Sequence, residues 1–119
     1  CYMASSPQKD EGKYTQRGDI YVVITHRPAE KSFDVVNFVA GYTYKRDAKV
    51  VVKIGKTTID KMFVDNDKAW AVSEKTDKEL VAAMKKGERM IVTGESTKDT
   101  YSLSGFTAAY RAISAKCKK

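Results

Sequence analysis

The sequence predicts a single, mostly-β domain. Its 119 residues leave no room for a second core, because a domain usually takes roughly 100–150 residues. β-branched and aromatic side chains dominate: twelve Val, six Ile, ten Thr and seven Tyr accompany only two Leu. Such side chains fit a pleated, half-buried sheet, whereas Leu is a leading helix former. An all-α bundle is therefore excluded.

Six segments have the alternating or continuously apolar pattern of strands. They are residues 19–27, 33–42, 49–54, 57–64, 88–95 and 99–104. Residues 1–6 could add a short strand, whereas residues 8–18 are polar and charged and are expected to form a loop. Gly55-Lys56 is a plausible two-residue hairpin turn. Met62 and Phe63 in succession allow a bulge, or burial on both faces, in the strand that follows.

Two segments have helical spacing instead. Residues 76–86 begin with Thr76 and Glu79 in the pattern of a capping box, and Gly87 provides the stop. Residues 105–116 repeat apolar side chains on one side of a helix. A short strand around residues 68–72 carries the only Trp. The aromatic residues expected in the core are Trp70, Phe38 and Phe106.

The two cysteines, Cys1 and Cys117, lie at opposite ends of the chain. A bridge between them would stabilise the fold by about 4–5 kcal/mol in the loop-entropy model. Their spacing is equally compatible with two free thiols near frayed termini. Cys117 continues the apolar stripe of the second helix, which favours a sequestered or disulfide-bonded cysteine over a reactive exposed one.

The net charge of +7 is evenly spread and comes from seventeen Lys and five Arg. A scattered, Lys-dominated charge favours solubility and weak attraction to polyanions over a nucleic-acid site, so no specific nucleic-acid partner is expected. The outward residues Lys45, Arg46, Lys49 and Lys53 are candidates for contacts with an anionic glycan or lipid head group. No stretch approaches the roughly 18 apolar residues of a membrane span.

His26, the only histidine, rules out sites with several His ligands and leaves one possible general base. The sequence contains no nucleophile elbow, phosphate-binding glycine loop or paired-carboxylate pattern. Asp65-Asn66-Asp67 reads as a turn, because Trp70 and Thr76 occupy the Gly and Glu places of a calcium loop. We therefore predict no catalytic, cofactor-binding or metal-binding residues. A small hydrolase that uses His26 with a nearby Ser or Thr is the remaining enzymatic alternative.

Several motifs, in order along the chain, resemble those of the invasion-associated locus B family of bacteria. The octapeptide DTYSLSGF at residues 99–106 is the most specific. It is preceded by LVAAMKKG at 80–87 and by a strand ending in Thr-Gly at 93–94, and it is followed by an ending that resembles the family's at 112–117. Upstream segments that resemble the family are ITHRPAE, VAGYTYK, VVVKIG and DNDKAW. The hairpin before the octapeptide is shorter than usual, with only Glu95–Lys98 present. A strand that usually precedes the cysteine matching Cys1 is expected to be missing.

The resemblance implies an antiparallel, immunoglobulin-like β-sandwich with one or two short helices, at about 76–86 and 105–116, formed by residues 1–119. It also implies a Cys1–Cys117 disulfide and an exported protein that is periplasmic, outer-membrane-associated or secreted, without assigned catalysis and in some pathogens linked to host-cell entry. The expected role is surface binding to an envelope or host-surface component, with no cofactor.

Overall fold

The computed structural model describes residues 1–12, 18–45, 48–94 and 97–117. In these ranges the chain forms ten strands and two helices. The strands are β1 (Tyr2–Ser5), β2 (Lys9–Gly12), β3 (Tyr21–Arg27), β4 (Ser32–Val39), β5 (Val51–Ile54), β6 (Thr57–Ile59), β7 (Met62–Asp65), β8 (Lys68–Ala71), β9 (Arg89–Thr93) and β10 (Thr97–Ser102). The helices are α1 (Glu74–Lys86) and α2 (Phe106–Lys116), and Pro28–Glu30 form a single 3-10 turn.

The strands form two five-stranded antiparallel sheets that pack as a sandwich. Sheet A has the order β1-β3-β4-β8-β7 and sheet B has the order β2-β10-β9-β5-β6. The chain passes from one sheet to the other at an edge strand twice, through the short connections β1–β2 and β6–β7. The prediction of a mostly-β antiparallel sandwich with two helices is confirmed.

The core lies between the two sheets and under the helices. Alternate residues of the central strands point into it: Val22, Ile24, Val36 and Phe38 from sheet A, and Val52, Ile54, Met90 and Val92 from sheet B. Helix α1 adds Leu80, Val81 and Met84, and α2 adds Phe106 and Tyr110. The predictions that Phe38 and Phe106 are core residues are therefore confirmed.

The segment 57–64 was expected to be one strand, and this is wrong. It forms β6 and β7, which belong to different sheets and are separated by Asp60 and Lys61. Ile59 points into the core from sheet B, and Met62 packs against the core from sheet A. Two charged residues at the point where the alternation breaks allow the chain to cross between the sheets there.

The loop expected at residues 8–18 is also partly wrong, because Lys9–Gly12 form β2. This strand is an edge of sheet B and pairs with Thr97–Thr100 of β10. Its charged sequence carries no alternation, so the neighbouring strand supplies the order that the local pattern does not. Residues 13–17 of the expected loop lie outside the described residues.

Helix α1 begins two residues earlier than predicted, at Glu74. Its N-cap is Ser73, whose Oγ accepts a hydrogen bond from the Thr76 backbone N–H at 3.2 Å. The capping box proposed for Thr76 and Glu79 is therefore wrong, because Thr76 already lies in the first turn of the helix. The predicted end at Gly87 is correct.

Candidate interaction surfaces and the buried histidine

His26 is fully buried where α2 lies over the β3–β4 pair. Its Nδ1 accepts a hydrogen bond from the Asp34 backbone N–H at 3.0 Å, and its Nε2 lies 3.1 Å from Ser114 Oγ. Since Nδ1 is an acceptor, the proton of the neutral ring is on Nε2, which then donates to Ser114. A general base for Ser114 would need a lone pair at Nε2 instead.

A β-bulge brings Asp34 beside this histidine. The register of β3 and β4 shifts between Thr25 and Arg27, so His26 faces two residues of β4. Asp34 has a φ of 60°, in the left-handed region that Asp tolerates better than most residues. The bulge turns the Asp34 carboxylate into the interior, where it accepts a short hydrogen bond from the Tyr110 hydroxyl.

This arrangement gives the hydrolase alternative no support. The His26 ring is enclosed by aromatic neighbours, with the Phe33 and Tyr110 ring centroids 5.6 Å and 5.5 Å away. A substrate would have to displace α2 to reach Nε2. The hydrogen bonds of His26 instead hold α2 against sheet A, which is a structural role.

The structure joins Cys1 and Cys117 in a disulfide, with their Cα atoms 6.1 Å apart. Cys1 also exchanges two backbone contacts with His26: the His26 N–H donates to the Cys1 carbonyl at 2.8 Å, and the terminal ammonium of Cys1 donates to the His26 carbonyl at 3.2 Å. The bridge therefore fixes the end of α2 to the start of β1, directly beside the buried histidine.

Asp77 is a second buried carboxylate, in the first turns of α1. Its Oδ1 accepts a hydrogen bond from the Val36 backbone N–H at 3.1 Å, which ties α1 to β4. Burial raises the pKa of Asp77 from 3.8 to about 6. The hydrogen bond from Val36 opposes this shift, and the charges of Asp34 and Glu74 add to it. In the described part of the chain, no group of three or more His, Cys, Asp or Glu side chains could hold a metal ion.

The outer face of sheet B carries several basic residues, and Glu11 of β2 pairs in register with Lys98 of β10. Residues that pair with one another across all five strands form a row on this face. From β6 to β2 they are Thr58, Lys53, Ile91, Thr100 and Lys9. Lys98 and Arg89 lie on the neighbouring rows and are exposed.

Of the four predicted anionic contacts, Lys53 is on this face, Lys49 is exposed just before β5, and Lys45 is exposed in the segment after β4. Arg46 lies outside the described residues. Lys9, Lys98 and Arg89 were missed: Lys9 lies on β2, which was not recognised, and the common face of Lys98 and Arg89 depends on the pairing of β9 with β10.

The outer face of sheet A is mostly apolar and aromatic at its centre, with Lys68 and Asp65 on the row beyond. Its central row reads, from β1 to β7, Ala4, Val23, Asn37, Trp70 and Phe63. We call these five residues the aromatic row. Trp70 was expected to fill the core, and this is wrong: it is half-buried, and its ring and the Phe63 ring form a T-shaped pair with a centroid distance of 4.3 Å.

The alternation of inward and outward side chains along β8 explains why Trp70 is not in the core. Ala69 and Ala71 take the inward positions of β8, so Trp70 between them must point outward. Phe63 remains 46% exposed beside it, and Tyr2 on the adjacent row is 69% exposed. Pairing residues 63 and 70 across the turn at Asp65–Asp67 was possible from the sequence, and the small residues beside Trp70 were the signal.

The family model described as Invasion associated locus B (IalB) protein matches residues 1–114 of the chain. No curated protein and no solved structure matches it at a significant level. In the described residues, neither helix is long and apolar enough to cross a membrane.

Proposed function

The chain belongs to the invasion-associated locus B family, a family of bacterial envelope proteins, and on this premise we propose that it is a non-enzymatic binding domain. It would act outside the cytoplasm, in the periplasm, at the outer membrane or after secretion. The Cys1–Cys117 disulfide supports this location, because such bridges persist in oxidising compartments.

The observation that carries the proposal is the exposure of the aromatic row. Phe63 is a large apolar side chain left 46% exposed, and it packs on a Trp that is itself only half-buried. Aromatic residues are enriched where proteins bind partners, because they bury a large area at a small cost in conformational freedom. An exposed apolar sheet face of this kind fits a protein or membrane-surface partner better than a small substrate.

The variant Phe63→Ser tests the proposal. We expect it to fold, because the ring is exposed, and to bind outer-membrane vesicles about fivefold or more weakly than the unsubstituted protein. Binding is measured as vesicle mass captured on the immobilised protein by surface plasmon resonance. The matched control is Ala108→Ser, at an exposed position of α2 that lies outside both the aromatic row and the basic face of sheet B. Unchanged vesicle capture by Phe63→Ser would refute a role for the aromatic row.

The basic face of sheet B supports a second candidate, binding of an anionic glycan or lipid head group. Lys53, Lys98 and Arg89 are exposed on one face. Attraction through such exposed charges is long-ranged but is screened by salt.

We expect binding to heparin or to phosphatidylglycerol vesicles to fall steeply between about 50 mM and about 500 mM NaCl. The variant Lys49→Gln/Lys53→Gln should weaken it at low salt by about threefold or more, since two charges are lost. In the heparin measurement Phe63→Ser is the control and should bind as the unsubstituted protein does. Binding that is insensitive to salt would rule out this electrostatic mode.

A further inference from the structure

An apolar cavity of about 160 Å³ lies between the two sheets, where β1 of sheet A faces β10 of sheet B. Neither the binding proposed for the aromatic row nor the binding proposed for the basic face uses this cavity. It is lined by Met3 and Ile24 from sheet A, by Met90 and Tyr101 from sheet B, and by Met84 and Phe106 from the helices.

The cavity reaches from the core to the surface. Its inner wall is almost fully buried, with Ile24, Met84, Met90 and Tyr101 each at 2% exposure or less. Its outer wall includes Ala4, Ser104 and Gly105, which are exposed. A packing defect sealed inside the core would have no exposed residues in its lining. A ligand can therefore enter beside β1 without unfolding the sandwich.

The size and the lining define what fits. A cavity of about 150 Å³ lined by apolar side chains stays dry and binds benzene, a six-carbon molecule. Sites for whole drug-sized ligands are larger, at about 300–1,000 Å³. The space here therefore accommodates a hydrocarbon segment of about six carbons. The three Met side chains of the lining are flexible and polarizable, so they adapt well to such a chain.

The mouth differs from the interior, because it carries the hydroxyl groups of Ser5, Ser102 and Ser104. A polar group attached to the hydrocarbon would remain there, in contact with water and with these hydroxyls. We propose that this cavity binds the hydrocarbon chain of an amphiphile end-on, with the chain between Met84 and Met90 and the head group at the serines. The net charge of +7 favours an anionic head group, such as a carboxylate.

The methionines provide a direct test. The chain has four: Met3, Met84 and Met90 line the cavity, whereas Met62 lies on β7 at the opposite edge of sheet A. With ¹³C-labelled Met methyl groups, titration with sodium decanoate below its critical micelle concentration should shift three NMR signals saturably. The Met62 signal should remain in place and serves as the internal control.

Two variants of α2 sharpen the test. Ala109→Leu places a larger side chain into the cavity and should reduce decanoate affinity about tenfold or more. Ala108→Leu makes the same change at the exposed neighbouring position, outside the lining, and should leave it unchanged. If Ala109→Leu does not fold, the comparison of the Met62 signal with the other three Met signals still shows whether decanoate binds in the cavity.

The proposal is overturned if no Met signal shifts, if all four shift together without saturation, or if Ala109→Leu folds and binds as tightly as Ala108→Leu. A parallel titration with phosphatidylglycerol vesicles identifies the source of the chain. Shifts of the same three signals with vesicles indicate a membrane lipid, and shifts with decanoate alone indicate a free fatty acid. Vesicle capture that depends on Phe63 tests the aromatic row separately, so the two proposals can fail independently.

Discussion

The fold buries the carboxylates of Asp34 and Asp77. Among the described residues to which a burial is assigned, Asp99 is the other buried acidic residue. Asp34 lies in an apolar strand sequence, and its inward direction depends on a bulge that no local pattern indicates. Asp77 lies near the start of α1. Its burial arises because α1 packs on β4, which is a tertiary contact. Neither burial was predictable from the sequence.

Asp77 makes the stability of the protein dependent on pH. Its carboxyl group has a higher pKa in the folded state, about 6, than the ordinary 3.8, so the folded state holds the proton more tightly. The free energy of unfolding should therefore fall as pH rises from about 4 to about 6 and should lose no more from this group above that range. The effect should be on the order of 3 kcal/mol.

The variant Asp77→Asn should remove this part of the pH dependence. Its amide oxygen can still accept the Val36 hydrogen bond, and it carries no charge to bury. Urea unfolding at pH 4 and at pH 7.5 should show the variant more stable than the unsubstituted protein at pH 7.5 only. The control Glu79→Gln, on the exposed side of α1, should leave the pH profile unchanged. A profile for Asp77→Asn identical to that of the control would contradict the assignment.

The elements that the sequence predicted well are those with a strong local pattern. Strands β3, β4 and β5 lie within or close to their predicted bounds, because apolar side chains of central strands repeat along several residues. Helix α2 was found from its apolar stripe and begins directly after Gly105, which has a φ of 78°. The prediction of the Gly55-Lys56 turn also rested on local sequence. Gly55 takes the positive φ that the hairpin needs.

The elements that failed depend on partners far away in sequence. β2 is charged and is a strand because β10 pairs with it, about ninety residues later. The division of residues 57–64 between two sheets depends on which sheet each half meets. The Trp70 error has a different origin, because burial was inferred from residue type although the local β7–β8 hairpin places Trp70 on the outer face. The surfaces proposed to bind partners follow from strand order, so they became visible only in the assembled sheets.

At the scale of the whole molecule, the Cys1–Cys117 bridge closes a loop that spans 116 residues of sequence separation. We expect the variant Cys1→Ser/Cys117→Ser to lose about 4–5 kcal/mol of unfolding free energy in the loop-entropy model. This is a large part of the roughly 5–15 kcal/mol that holds a domain folded. Unfolding both proteins in guanidinium chloride measures this loss. The comparison requires that the unfolding free energies of the two proteins depend equally steeply on denaturant concentration.

Mass spectrometry without reductant provides the check on the bond itself. The unsubstituted protein should take up no alkylating reagent before reduction and two equivalents after it. Ser114→Ala is a suitable control for the unfolding comparison, because it removes the His26 contact of α2 and leaves the bridge intact. Two alkylated thiols in the oxidised protein would contradict the pairing.

The place of β10 in sheet B has a consequence for the order in which the chain can fold. β10 lies between β2 and β9, so β2, the first strand of this sheet in sequence, cannot pair until β10 has been synthesised. Until residue 102 is available, β2 has no neighbour on either side, and the partner of Cys1 is synthesised later still. A chain emerging from its N-terminus therefore cannot finish either its second sheet or its bridge early. This late closure is compatible with the proposed export, because an open chain can be threaded through a translocation channel.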